Sequence, residues 1–554
     1  MSIDMKNIFL KTISITLGIA VLASCSDYLN RGSKVKFTDD NYWTNESNVK
    51  TFTWGFYDRF MGYGNGSSTN GDFYWSTFSD DQALHSGINT FPTAAPASST
   101  DWNNAYIYIR KANLLLERLD KVPMTDEAKN HYKGIAHFFR AYEYANLIKR
   151  FGDVPYIDKF LDQSETDLIY TPRTARNTIV DNIMVDLQFA ATNLRTKSAA
   201  EANTVNRDVA NALLSRVALY EGSIAKYHNN DAARANSLFT KAKDAASAVI
   251  SQNYRLSTNY KDIYTSTALA SNTEAILYKY YLKGTFMHSL TAYLNSTTPI
   301  SGATKSLVES YLCKDGNPIS SSPLYQGDAD ITKTLTNRDT RLTDAIGTTL
   351  AYRGNAVGGL ISSTGYLIKK FNNPAITGND LTQINANFTN APIFWLAEVY
   401  LNYAEAVAEL GTMTQADADM TINKLRARGG VAPLTISNIP ADPKKDSDVS
   451  ALLWEVRRER RVELAFDGFR NWDIRRWKKL SYLDYNVTPD IFKGAKVPTQ
   501  TAGLIVDANM YIQPYSNLAL RIVLAPKHYL DPIPTGVKSL YDLQGVTFPQ
   551  NPEW

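Results

Sequence analysis

Five stretches between residues 102 and 251 repeat apolar side chains at three- and four-residue intervals, and nothing else in the chain limits its fold so tightly. Trp102 to Leu119 carries Ile107, Ala112, Leu115, Leu116 and Leu119, and Asp126 to Lys149 carries Tyr132, Ile135, Phe139, Tyr142 and Ala145. That spacing gives a 3.6-residue helix one side to bury. Pro123 stops the first helix, and Phe151-Gly152-Asp153-Val154-Pro155 stops the second with turn and breaker residues. Thr174 to Leu194, Asn206 to Tyr227 and Asp231 to Ser251 read as three more, the last rich in alanine. Small side chains at crossings let helix pairs approach closely, as a helix-turn-helix solenoid requires. The 34-residue period of tetratricopeptide repeats is not clean, so the spacing by itself leaves the type of helical array open.

From about 252 to 387, Thr, Asn, Gly, Ser and Pro multiply and helical periodicity fades. Short alternating pieces such as Ala275 to Tyr280 read as strands. Periodicity resumes with predicted helices at Ile393 to Leu410, Thr414 to Arg426 and Leu452 to Phe466, and the chain from Trp477 reads as a long wrapping tail. Ahead of the main array, Val49 to Phe60 is a further predicted helix. The expected organisation is a helical region at 41–251 with ligand-side loops, an irregular and partly β subdomain at 252–387, and C-terminal helices with a tail at 388–554.

The first 24 residues stand apart. Lys6 and Lys11 precede the apolar run Ile13 to Ala20, which is too short to span a bilayer, and Val21-Leu22-Ala23-Ser24-Cys25 follows. The arrangement resembles a lipoprotein signal, with 1–24 removed, Cys25 acylated and 25–40 forming a surface tether. The competing readings are an ordinary signal cleaved near Ala23 and a buried apolar segment with a core cysteine. With Cys25 acylated, Cys313, the only other cysteine, is unpaired, which excludes a disulfide framework and a cysteine metal site.

Composition removes several function classes. A net charge of +3 with no basic tract offers no field for nucleic acid. The glycine cluster Gly62 to Gly66 has no preceding strand and no following Gly-Lys-Ser/Thr, so it is a loop and not a phosphate cradle. The six histidines form no His-Glu-x-x-His, there is no Gly-x-Ser-x-Gly elbow, and neither a metal nor a cofactor is called for. Glu398 and Glu405 lie seven residues apart on one helix face among apolar neighbours, which fits hydrogen bonds from buried backbone or arginines better than the two carboxylates of a glycosidase. Aromatic residues make up 12% of the chain, and an indole or phenol ring beside polar groups suits the C–H face and hydroxyl edge of a sugar. The segment Asp72 to Trp102 supplies that combination in Tyr74, Trp75, Asp80 and Trp102.

Motifs along the mature chain resemble the SusD/RagB family of surface glycan-binding lipoproteins. They are Cys25-Ser26-Asp27-Tyr28-Leu29, Asn337 to Leu342, Phe394 to Ala406, Ile422 to Arg428, Arg458 to Arg470, His528 to Pro534 and Gln550 to Trp554. Thr340, Asp467 and Glu553 depart from the residues usual there. The resemblance implies a mostly α, tetratricopeptide-repeat-like scaffold with an irregular ligand-bearing side and no catalysis. It implies binding of an oligosaccharide or polysaccharide and docking on a SusC-like TonB-dependent outer-membrane transporter, at the extracellular face of the outer membrane. It also adds Tyr293 and Tyr325, from the irregular middle, to the expected ligand contacts, and leaves Arg338 to a structural role. The alternatives are a peptide-binding or assembly subunit of a similar complex, and a surface glycoside hydrolase. Metabolic labelling with an azido-palmitate should tag the wild-type protein and miss Cys25→Ser; label retained by the variant would remove the anchor.

Overall fold

The computed structural model describes residues 39–84, 91–294, 301–514 and 525–554, so the leader, Cys25 and nearly all of the expected tether lie outside the described residues. Its N-terminal body contains helices α1 (Glu46–Trp54), α2 (Thr100–Leu119), α3 (Asp126–Phe151), α4 (Arg176–Asn193), α5 (Arg207–Tyr227) and α6 (Ala232–Ile250). Ser99, Thr125, Asn206 and Asp231 cap α2, α3, α5 and α6, each accepting a first-turn backbone N–H. A cap of this kind is worth about 1 kcal/mol. From α2 onward each of these helices packs on the next, the segment between α3 and α4 carrying a further short helix at Thr166–Ile169. The result is a tetratricopeptide-repeat-like array.

The tightest seam is between α5 and α6. Ala235, Ala242, Ala245 and Ala246 are buried there, and a Cβ on Gly222 would fall 2.7 Å from the Phe239 ring. On α2 the buried row is Trp102, Ala105, Ile109, Ala112, Leu115 and Leu119, while Ile107 is exposed. Of the expected stripe Ala112, Leu115 and Leu119 are buried and Leu116 is partly so; Ile107 lies outside it, because the aromatic at 102 is on the buried side and a residue five positions on lies near the opposite face.

Beyond α6 the described elements stay short as far as residue 390. Strand β1 (Gln82–Leu84) pairs antiparallel with β3 (Ser301–Ala303), and β2 (Ala275–Lys279) with β4 (Ala391–Trp395). The helix expected from Ile393 therefore begins only after a strand. All five β4 residues are buried, and Ile-Phe-Trp suits a doubly covered strand. Next come α7 (Leu396–Glu409), α8 (Gln415–Met420), α9 (Ile422–Arg428), α10 (Ala451–Glu463), α11 (Phe469–Arg476) and α12 (Thr535–Leu543). One predicted helix divides into α8 and α9 because Thr421 leaves helical geometry, at φ −121° and ψ −86°. The Val49 to Phe60 expectation likewise resolves into α1 and a 3-10 turn at Tyr57–Arg59.

Helix α7 lies against α6, α5 and α10, and carries its charges inward. Arg216 of α5 reaches Glu398 at 2.6 Å; Arg476 and the Trp477 indole N–H reach Glu405 at 2.6 and 2.7 Å. Burial pushes the Glu405 carboxyl up, but Arg476, Arg460 and Arg457 outweigh it and hold the group down at about 2. The last residues close on the first helices: the Asn551 side chain donates to the carbonyls of Phe151 and Asp531, and Arg173 donates to Pro549 O.

Three histidines are kept neutral by burial, His288 down to about 3 and His131 and His228 to about 4. His288 has a defined tautomer, with Nε2–H donating to Thr389 O and Nδ1 accepting from the Leu290 N–H. A base whose folded pKa is depressed contributes stability that is present above its unfolded value of 6.5 and lost as pH falls toward the folded value. Urea unfolding should therefore show stability declining between pH 6.5 and 4, and His288→Gln should flatten the decline by about 1.4 kcal/mol per pH unit for the proton it no longer refuses. Parallel profiles for the two proteins would count against this assignment.

Candidate functional site

A 3-10 segment, Asp72–Phe78, organises a large cavity. With three residues per turn, Phe73 and Ser76 share one side, and both are buried. Phe73 packs between Tyr63 and Phe371, at 4.5 and 5.2 Å between ring centres, and Ser76 Oγ accepts the Gly468 N–H at 2.8 Å. Gly468 has φ +86°, and a Cβ there would meet Asp72 O at 2.1 Å, so glycine is what lets the segment sit on the start of α11. Asp72 is pinned from behind, its Oδ2 accepting the Gly62 N–H at 3.0 Å. Tyr74, Trp75, Thr77 and Phe78 are left facing the cavity.

The cavity has a volume of about 880 Å³ and reaches the surface beside exposed Thr69, Asn70 and Asp101. Helix α3 contributes Tyr142, Asn146, Lys149 and Arg150, which helical spacing brings to one side. Helix α5 adds Arg216 and Tyr220, and α11 adds Phe469, Trp472, Asp473 and Arg476. Trp75 and Trp472 form a tilted pair with ring centres 4.9 Å apart. Lys149 Nζ stands 4.3 Å from the Trp472 ring, and the Arg150 guanidinium 5.4 Å from that of Trp75. The Tyr74 hydroxyl has no hydrogen-bond partner among the described residues, although it is buried; such a group is usually completed by water or ligand.

Charge in the wall is mostly neutralised in place. Arg59 pairs with Glu143, Arg150 with Asp101 and Asp531, Arg216 with Glu398, and Arg460 and Arg476 with Asp473. Glu221 is held by Arg176 and Asp467 by Lys370. Lys149 and Asp72 remain without an ion-pair partner among the described residues. Burial lowers Lys149 to about 8 and raises the Asp72 carboxyl.

The six predicted ligand contacts are dispersed. Tyr74 and Trp75 line the cavity, and Tyr293 packs edge-on against Tyr74 at 5.9 Å while its hydroxyl donates to Ser67 O. Trp102 does not line it: this indole is buried in α2 against Tyr106, Phe151 and Phe548. Asp80 is also buried, both oxygens taken by Arg470 at 2.7 and 2.8 Å, with Arg461 at 3.0 Å. Burial opposes its charge, and these two arginines hold it well below the usual carboxylate range. Tyr325 is half-buried beneath the Arg338 guanidinium, away from the cavity wall. Sequence reasoning missed Lys149 and Trp472. The usable signal was an isolated indole amid the charged run Phe469–Arg476, and polar positions 142, 146 and 149 on one face of an otherwise buried helix.

Asp80→Asn leaves the buried Arg470 guanidinium without its ion-pair partner, while Arg461 keeps Asp81, and should cost about 3–5 kcal/mol in urea unfolding. Unchanged stability with lost ligand binding would instead return Asp80 to the site.

Comparison with known proteins places these features in context. A model described as the SusD family matches residues 293–554, and one described as "Starch-binding associating with outer membrane" matches 3–219. SusD-like protein P2 of Formosa agariphila is 27% identical over 395 residues, 69% of this chain and 72% of that protein. SusD-like protein P38 of the same organism is 25% identical over 499 residues, 86% of this chain and 92% of that protein. Among solved structures, a SusD-like carbohydrate-binding protein from Bacteroides fragilis superposes with a TM-score of 0.71 at 23% identity, covering 90% of this chain and 99% of that one, a likeness of fold.

Proposed function

As the chain belongs to the SusD family, we propose that it is a surface glycan-binding lipoprotein, anchored through Cys25, that captures oligosaccharides and delivers them to a partner TonB-dependent transporter of the SusC type. The observation that carries this reading is the cavity wall at Trp75 and Trp472, two indoles 4.9 Å apart beside the unpartnered Tyr74 hydroxyl. Ring faces stack on the C–H face of a sugar, and polar groups of the wall serve its hydroxyl edge. A volume of about 880 Å³ falls within the range of small-molecule sites. The relatives' descriptions, carbohydrate-binding and starch-binding, point the same way. Tyr74, Trp75 and Tyr293 stay in the proposed site and Trp472 joins them, whereas Asp80, Trp102 and Tyr325 serve the scaffold.

Binding without hydrolysis fits the wall's charges. Glycoside hydrolysis takes two carboxylates in most families, and Asp72 is the cavity carboxylate that no described cation occupies. Calorimetry against an oligosaccharide panel should find a ligand whose affinity falls about thirtyfold, roughly 2 kcal/mol, in Trp75→Ala and in Trp472→Ala. No reducing ends should be released. Wild-type affinity in both folded variants would move the site elsewhere, and sustained product release would make the protein an enzyme. Co-purification from detergent-solubilised membranes tests the transporter.

A further inference from the structure

Lys149 is the cation of the cavity wall that makes no ion pair among the described residues, Asp72 and Asp101 acting on its charge only from beyond bonding distance. Its ammonium has three donors, and one is used, on Asn146 Oδ1 at 3.2 Å. The five arginines around the same space each lie against a carboxylate, so the fold neutralises guanidinium groups here as a rule and departs from it at this position. Leaving an ammonium unpaired away from bulk water is costly. Asp72 fills the gap only in part: it attracts Lys149 without forming an ion pair, its Oδ2 is on the Gly62 N–H, and burial outweighs that attraction and favours its neutral form. Lys149 itself, lowered to about 8, still carries its proton at neutral pH.

We propose that Lys149 is a specificity-determining residue that selects sugars bearing a carboxylate, the uronic acids, with the acid group on the ammonium and the ring against Trp472. The proposal rests on the glycan-binding reading above and names the substrate class of that same site. The geometry supplies both halves of the recognition: Nζ lies 4.3 Å from the Trp472 ring, so a sugar stacked on that indole places a substituent beside the ammonium. A charge-assisted contact of this kind is worth on the order of ten- to a hundredfold in affinity.

The test uses affinity electrophoresis and tryptophan fluorescence on the full chain. The probes are polygalacturonate, alginate, hyaluronan and glucuronoxylan, each beside its carboxyl-reduced form, with starch, laminarin and inulin as a neutral set. At least one acidic polysaccharide should bind, and its carboxyl-reduced partner should bind ten- to a hundredfold more weakly. Lys149→Met should lose the acidic ligand by the same factor, and Lys149→Arg should keep most of the affinity. Because Lys149 has no ion pair to break, Lys149→Met should fold, as circular dichroism will verify. Three outcomes overturn the proposal while leaving glycan binding intact: binding of neutral members only, indifference to carboxyl reduction, or full affinity in Lys149→Met. Binding to none of the panel overturns both readings.

Discussion

The structure depends on arginines buried against carboxylates that are distant in sequence. Arg341 meets Glu459 and Glu463; Arg426 meets Glu455 and Glu459; Arg428 meets Glu274; and Arg461 and Arg470 converge on Asp80. Burying one such charge alone costs several kcal/mol, so each group is tolerable only when its partner has arrived. The pairs therefore act as registration marks. They specify how the N-terminal array, the irregular middle and helices α7, α10 and α11 sit on one another, even where net stabilisation by any single pair is small.

That constraint explains how the cavity keeps its shape. Asp80 ties the segment that follows Trp75 to α10 and α11, while Gly468 admits the 3-10 turn at Asp72–Phe78 against α11. Trp75 and Trp472 belong to these two elements, so their separation is set by contacts behind the wall and not by anything in it. Preorganisation of this sort lowers the entropic cost of holding a ligand.

Helices in the sequence were legible wherever one face is apolar, because period 3.6 survives any tertiary arrangement. Three details were not. The exposure of Ile107 on α2 depended on which neighbour Trp102 meets; β4 was hidden because a doubly buried strand and a buried helix look alike over five residues; and the break at Thr421 has no proline or glycine to announce it. The site divided along the same line. Tyr74 and Trp75 were readable as aromatics in irregular chain beside polar residues. Asp80 matched the same pattern but answers to arginines some 380 to 390 positions later, information that local chemistry does not contain. Lys149 is the converse case, a lysine near a helix C-terminus that resembles ordinary charge complementarity until the missing partner is noticed.

The seam made by the final residues has a bearing on how such a chain is produced. Asn551 completes the Phe151 carbonyl at the end of α3, Arg173 waits for Pro549 O, and the Trp554 indole donates to Lys527 O and Leu530 O. The Phe151 and Arg173 contacts join positions 400 and 376 residues apart, so these groups are satisfied only once residues 549–551 have been made and have docked. A product released a few residues early leaves those backbone groups open, exposed to whatever protease inspects unfinished chains.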